Sequence, residues 1–97
     1  MSGNIRVTPE ELFSKAGQFD TASGEVMELI GKLDGYISEL EGMWEGEASV
    51  AFLEQYERLK PSFMNMSDLL NQISQQLNNT GETMQSTDSQ IAGSFRG

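Results

Sequence analysis

Met43-Trp44-Glu45-Gly46 sits almost at the midpoint of a 97-residue chain and holds its one tryptophan, with a long helical pattern on either side. A large ring followed two residues later by a glycine, between two such segments, reads as the hinge of a helical hairpin. Trp44 falls at a seam position where packing would select a large ring, and its indole N–H needs an acceptor there. Part of the ring can also stay accessible beside a tight Gly46 turn as an anchor for a partner, and both readings can hold.

Upstream of the hinge, Thr8 as N-cap, Pro9 at the first helical position and Glu10 and Glu11 behind it mark a helix start, with Thr8 and Glu11 spaced as a capping box. From there Leu12, Ala16, Phe19, Ser23, Val26, Ile30, Leu33, Ile37, Leu40 and Trp44 follow in alternating steps of four and three. That is a heptad seam, which Phe13, Ala22, Met27, Leu29 and Tyr36 widen toward the broader face of a bundle helix. The expected first helix covers about residues 8–42, and the loop residues 43–46. Gly17, Gly24 and Gly31 recur seven apart beside the seam. Each costs about 1 kcal/mol against alanine in a helix interior, and the stripe reads either as a groove for close approach of another helix or as tolerated surface glycine.

Downstream, Phe52, Tyr56, Leu59, Phe63, Met66, Leu70, Ile73, Leu77, Thr80, Met84, Thr87 and Ile91 repeat the same steps, widened by Leu53 and Leu69. A shared period of 3.5 predicts antiparallel packing of the two halves with a left-handed supercoil. Pro61 removes a backbone donor, which predicts a kink near residues 57–61; the heptad phase passes through it, so the chain does not reverse. The second helix is expected over about 47–92, with a loose arm at 1–6 and a flexible tail at 93–97. The whole of 1–97 reads as one all-α domain.

Six basic residues against 15 acidic ones give a formal charge of −9, which repels a phosphate backbone and an anionic membrane surface alike. Neither nucleic acid nor a membrane is an expected partner. No apolar run approaches the roughly 20 residues that span a bilayer, and Met1 to Arg6 carries no apolar stretch of the secretory kind, so export would need another route. The sequence has no histidine and no cysteine. Carboxylates are then the only acid/base candidates, and Glu39, Glu41, Glu45, Glu47, Glu54 and Glu57 around the hinge follow no calcium-loop or glycosidase pattern. They read as a solvated acidic surface. No cofactor, no metal and no catalytic residue is expected; the protein reads as a non-enzyme.

A first helix of about 35 residues is a rod of about 50 Å, and two such rods leave their widened faces partly wet. A second hairpin closing an elongated four-helix bundle solves this, as a second copy or a paralogue. Residues beyond about Gly81 then overhang the start of the first helix.

The length, the capped first helix, the central Trp44-Glu45-Gly46, the heptad second helix and the polar tail together resemble the WXG family, the ESAT-like small proteins of type VII secretion. The resemblance covers nearly the whole chain. It implies a hairpin that dimerises into a four-helix bundle and leaves the cell without a cleaved signal peptide, cytoplasmic before export, through a complex containing an ATPase of the FtsK/SpoIIIE type. Family members often end in a signal of Tyr, three residues and an acid. Here Met84 and Asp88 take those positions, and Met84, Asp88, Ile91 and Phe95 match the broader tail pattern of Gram-positive members, whose homodimeric branch the chain resembles most.

The resemblance implies a secreted homodimeric effector or export partner, read through Trp44, Glu45 and Gly46 together with the tail. Two alternatives are an adaptor that heterodimerises with a larger co-secreted effector, and a membrane-active effector, against which the acidic surface argues.

Overall fold

The computed structural model describes residues 7–96, with side chains through Asp88, as two elements: α1 (Pro9–Met43) and α2 (Glu47–Arg96). The start of α1 is the capping box that the sequence spells out. Thr8 is extended at φ −92° and ψ 156°; its hydroxyl accepts from the Glu11 N–H at 3.1 Å, and Glu11 Oε1 accepts from the Thr8 N–H at 2.8 Å. Two donors that the helix start would otherwise leave unpaired are satisfied, and Pro9 lacks the third.

The second helix passes through Pro61 as one element and runs past residue 92 to Arg96. Residues 93–96, expected to lie in a flexible tail, are therefore helical. The expected N-terminal arm, 1–6, and Gly97 lie outside the described residues. At 1.5 Å per residue the 50 residues of α2 measure about 75 Å, which accounts for the 77 Å long axis of the molecule. The radius of gyration is 22.0 Å, against about 12.5 Å for a compact chain of this length. The fold is an elongated all-α hairpin, with no strand among the described residues.

On α1 the buried residues Ala16, Ser23 and Ile30 all lie on the expected seam. On α2 they do not. There the buried residues are Ser49, Ser67, Ser74 and Gly81, while Phe52, Leu59 and Met66 of the expected seam are 39%, 49% and 50% exposed. The true contact stripe keeps Tyr56, Leu70, Leu77 and Met84 but replaces the large residues at every seventh position by their immediate neighbours. The helix is thus turned about its axis, relative to the apolar pattern, so that its small residues face α1.

Hydrogen bonds between the helices show why this rotation is stable. The Ser23 hydroxyl donates to the Ser67 carbonyl at 2.8 Å, the Ser67 hydroxyl donates to the Ser23 carbonyl at 3.1 Å, and the two hydroxyl oxygens are 2.9 Å apart. One heptad away on each helix, the Ser74 hydroxyl donates to the Ala16 carbonyl at 2.8 Å. A serine side chain is short, so these bonds exist only where the backbones approach closely, and each buried hydroxyl is satisfied. Continuing the register sets Gly81 near the start of α1. An added Cβ on Gly81 would fall 2.6 Å from Phe13 Cε1, so the glycine is what admits the ring.

The seam encloses little apolar volume. Ala16 and Ile30 are the buried apolar residues among those described, and no large side chain is fully enclosed. The chain exposes 7348 Å², about a third more than the roughly 5,500 Å² expected of a folded monomer of 10.7 kDa.

Ser67→Leu is expected to destabilise the hairpin by about 1–3 kcal/mol through overpacking, read as a lower urea midpoint; an unchanged midpoint would mean that the helices are not in close contact there. At Gly31 an added Cβ meets nothing within 4 Å, so Gly31→Ala should raise stability by up to about 1 kcal/mol. Gly81→Ala should show no such gain, and equal gains at the two positions would contradict the Phe13 contact.

Candidate partner-binding surfaces

Turning the small residues inward leaves the large ones on one open face. Val26, Leu29, Leu33, Phe63 and Met66 line a groove of 350 Å³, and Leu33, Tyr36, Leu40, Phe52, Leu59 and Phe63 line its neighbour of 340 Å³. The two share Leu33 and Phe63, and no charged side chain lines either. One helical turn farther from the hinge, Phe19, Ala22 and Leu70 carry the same stripe onward. Of the residues expected on the seam, Phe52, Leu59, Phe63 and Met66 are exposed, while Phe19, Val26, Leu33, Leu40 and Leu70 are half-buried, so the apolar band runs outward from the edge of the seam.

A polar lock bridges the helices at the level of Asp34. Lys60 Nζ lies 2.9 Å from Asp34 Oδ2, and the Tyr56 hydroxyl donates to Asp34 Oδ1 at 2.7 Å. The hydrogen bond from Lys60, and then that from Tyr56, holds the Asp34 carboxyl below its usual 3.8. Partial burial, followed by the hydrogen bond to Asp34, pushes the Tyr56 phenol up to about 12, and the hydrogen bond to Asp34 raises the Lys60 ammonium above 10.5. Periodicity alone gives no sign of this triad, because it ties a residue beside the seam of α1 to one on the stripe of α2.

The hinge is built by Gly46 and Ser49. Trp44 is extended at φ −125° and ψ 118°, with its N–H donating to the Leu40 carbonyl at 2.9 Å. Gly46 has φ +111°, the one positive φ among the described residues, in a region that side-chain-bearing residues rarely adopt. Its carbonyl then accepts from the N–H groups of Ser49 and Val50 at 3.2 and 3.4 Å and from the Ser49 hydroxyl at 2.8 Å, which starts α2. The Trp44 ring packs against Phe52, centroids 5.7 Å apart and planes tilted by 48°, yet 37% of the residue stays exposed. Trp44 is therefore packed on one side and accessible on the other, at the edge of the open face. Glu45 is exposed.

The other candidate residues lie elsewhere. Met84 is half-buried and Asp88 exposed, while the side chains of Ile91 and Phe95 lie outside the described residues. By helical rise, Met84 stands about 57 Å from Gly46, so one chain does not bring its hinge and its tail together. Gly17, Gly24 and Gly31 are exposed, and an added Cβ at each would meet open space. Nothing within the hairpin requires them to be glycine. Among the described residues no three carboxylates gather as a metal site would need, and no helix is long and apolar enough to cross a membrane.

An all-α hairpin with a Trp-x-Gly turn and an open apolar face defines a small class of helical proteins, and comparison with known ones places the chain within it. Residues 4–89 match the model of the WXG100 family, proteins of 100 residues with WXG. YukE of Bacillus subtilis is 53% identical over 97 residues, covering all of both chains. The type VII secretion system extracellular protein A of Staphylococcus aureus is 32% identical over 91 residues, 94% of each. Among solved structures, EsxA of Geobacillus thermodenitrificans superposes with a TM-score of 0.82 at 49% identity, covering 91% of this chain and 96% of that one. The secreted protein EsxB of Bacillus anthracis gives 0.79 at 34% identity, covering 88% and 97%. The chain belongs to the WXG100 family.

The Asp34 triad sets a pH signature. The lowered Asp34 carboxyl contributes stability above its usual pKa and loses it as pH falls through the folded value; the raised Lys60 and Tyr56 contribute below their usual values and lose it as pH rises toward about 12. The difference in melting temperature between the wild type and Asp34→Asn should therefore be constant from about pH 5 to about pH 9 and shrink on both sides. A difference independent of pH from 3 to 11 would show that the triad does not form.

Proposed function

We propose that this protein is a non-enzymatic substrate of type VII secretion that works as a homodimer, two hairpins closing their apolar faces into an elongated four-helix bundle. The observation that carries the reading is the uncharged band running from Phe19 to Phe52, which the hairpin leaves open although its own core is small. A second copy supplies the apolar surface that this band lacks. Names of relatives support export: protein A of S. aureus is called extracellular, and EsxB of B. anthracis secreted. The route is independent of a signal peptide, from the cytoplasm, through an ATPase of the FtsK/SpoIIIE type.

The recognition element is Trp44, Glu45 and Gly46 with Met84, Asp88, Ile91 and Phe95. Hinge and tail stand at opposite ends of one rod, so a two-fold axis across the rod sets the hinge of each chain beside the tail of the other. The signal is then complete only in the dimer. Gly17, Gly24 and Gly31, free of any contact within the hairpin, offer a line along which a further helix approaches closely.

Light scattering should return about twice the chain mass of 10.7 kDa, and Leu59→Asp, which places a charge in the band, should weaken association at least about tenfold. A monomer at every concentration would sink the reading. In cells with a type VII system, Trp44→Ala and removal of residues 84–97 should each block export of a protein that still folds; normal export of both would refute the two-part signal. A stable stoichiometric complex with a second small helical protein that displaces the homodimer would instead assign the chain the role of an adaptor for a co-secreted effector.

A further inference from the structure

Asp34 grips α2 at two points one helical turn apart. Its Oδ1 accepts from the Tyr56 hydroxyl at 2.7 Å and its Oδ2 pairs with Lys60 Nζ at 2.9 Å, the one ion pair among the described residues. Tyr56 immediately precedes Glu57, and Lys60 immediately precedes Pro61. Between Glu57 and Pro61 the helix lacks a backbone bond, because Pro61 has no N–H to give the Glu57 carbonyl and its ring crowds that group. A single carboxylate on α1 thus bridges the weakest turn of α2.

The first helix is weak at the same level. In the register set by Ser23 on Ser67 and Ser74 on Ala16, residues 57–61 stand opposite residues 29–33, which include Gly31, with Gly35 one turn nearer the hinge. Asp34 lies between these two glycines. Glycine is a poorer helix former than every residue but proline, and a Cβ added at Gly31 or Gly35 would meet nothing within 4 Å, so no neighbour wedges either position. Both helices therefore have their least rigid backbone at one level of the rod. The two apolar grooves meet there, since Leu33 and Phe63 line both. A bend at this level sets one groove at an angle to the other. Neither Asp34 nor Lys60 lines either groove, so what they contribute to the band is its line.

We infer that the Asp34 carboxylate is a splint across a joint: by holding Tyr56 and Lys60, it keeps the two halves of the apolar band in line for the second copy. Asp34 and Lys60 are positioning residues, which act on the partner only through the shape of the band. The inference rests on the reading of the band as a homodimer surface and adds the residues that keep that surface straight enough to be covered. An ordinary interhelical ion pair stabilises the hairpin whatever stands at position 61. A splint matters only where the joint exists.

The test compares full-length wild type, Asp34→Asn, and Asp34→Asn combined with Pro61→Ala, which restores the missing backbone bond. Circular dichroism verifies the fold, native-state hydrogen exchange reads the joint, and light scattering over a dilution series reads association. Asp34→Asn should speed exchange about tenfold at residues 29–35 and 62–65, while amides around Ser23 and Ser74 keep wild-type rates. It should also weaken association about tenfold. Adding Pro61→Ala should return both quantities to within about twofold of the wild type. Adding Gly17→Ala and Gly24→Ala instead, which strengthens α1 away from the joint, should not restore association; if it does, the effect is one of overall stability and the splint falls. The splint falls too if Asp34→Asn leaves exchange or association unchanged, or if Pro61→Ala fails to rescue. A wild type that is monomeric at every concentration sinks the dimer reading and this inference with it, whereas a wild type and an Asp34→Asn variant that dimerise equally well remove the splint alone.

Discussion

The reciprocal bond between Ser23 and Ser67 decides the shape of the molecule. Two hydroxyls that reach the carbonyls of the facing helix fix the backbones at close range, and Ala16 with Ser74, and Gly81 with Phe13, extend that approach toward the start of α1. Side chains as large as Phe52, Leu59 and Met66 have no room in such a seam. They turn outward onto one face, and a chain with a small, partly polar seam ends up carrying its largest apolar residues at the surface. Closure of the hairpin and exposure of the band are one event.

That coupling gives the rod its division of labour. Close packing by small residues sets the register of α2 on α1 and so sets how far α2 overhangs. The band leaves uncharged apolar surface open along one face. The hinge, where Gly46 takes a positive φ and Ser49 fastens the first turn of α2, holds Trp44 at the edge of the band and its neighbours Met43 and Val50 at the tip. In the WXG100 family, Gly46 of the motif thus has a conformational reason in this chain, and Trp44 has a packing partner in Phe52.

The fold was legible because its signals are local. A capping box at Thr8, a seam of constant period and a tryptophan-glycine hinge at the midpoint each predict their element from a few neighbouring residues. The face by which α2 meets α1 was not legible from apolar residues, since counting large side chains selects the stripe that becomes the open band. A different pattern carried the answer: Ala16 and Ser23 on one helix, and Ser67, Ser74 and Gly81 on the other, are small residues spaced by seven. On the seam itself, small residues at heptad spacing mark where the helices come closest and large ones beside them what is displaced, whereas the Gly17, Gly24 and Gly31 stripe off the seam meets open space. The Asp34 triad depends on that rotation, so it could not precede it.

The unequal lengths of the helices have a separate outcome. α1 ends its work on α2 near Gly81, while α2 continues to Arg96. Beyond Met84 the sequence of α2 is released from the demand that shapes the rest of it, namely to present a small residue to α1 at every second turn. Substitutions there leave the register, the seam and the hinge untouched. The overhang can therefore change in sequence while the rod that carries it stays the same, so one scaffold can bear many different ends.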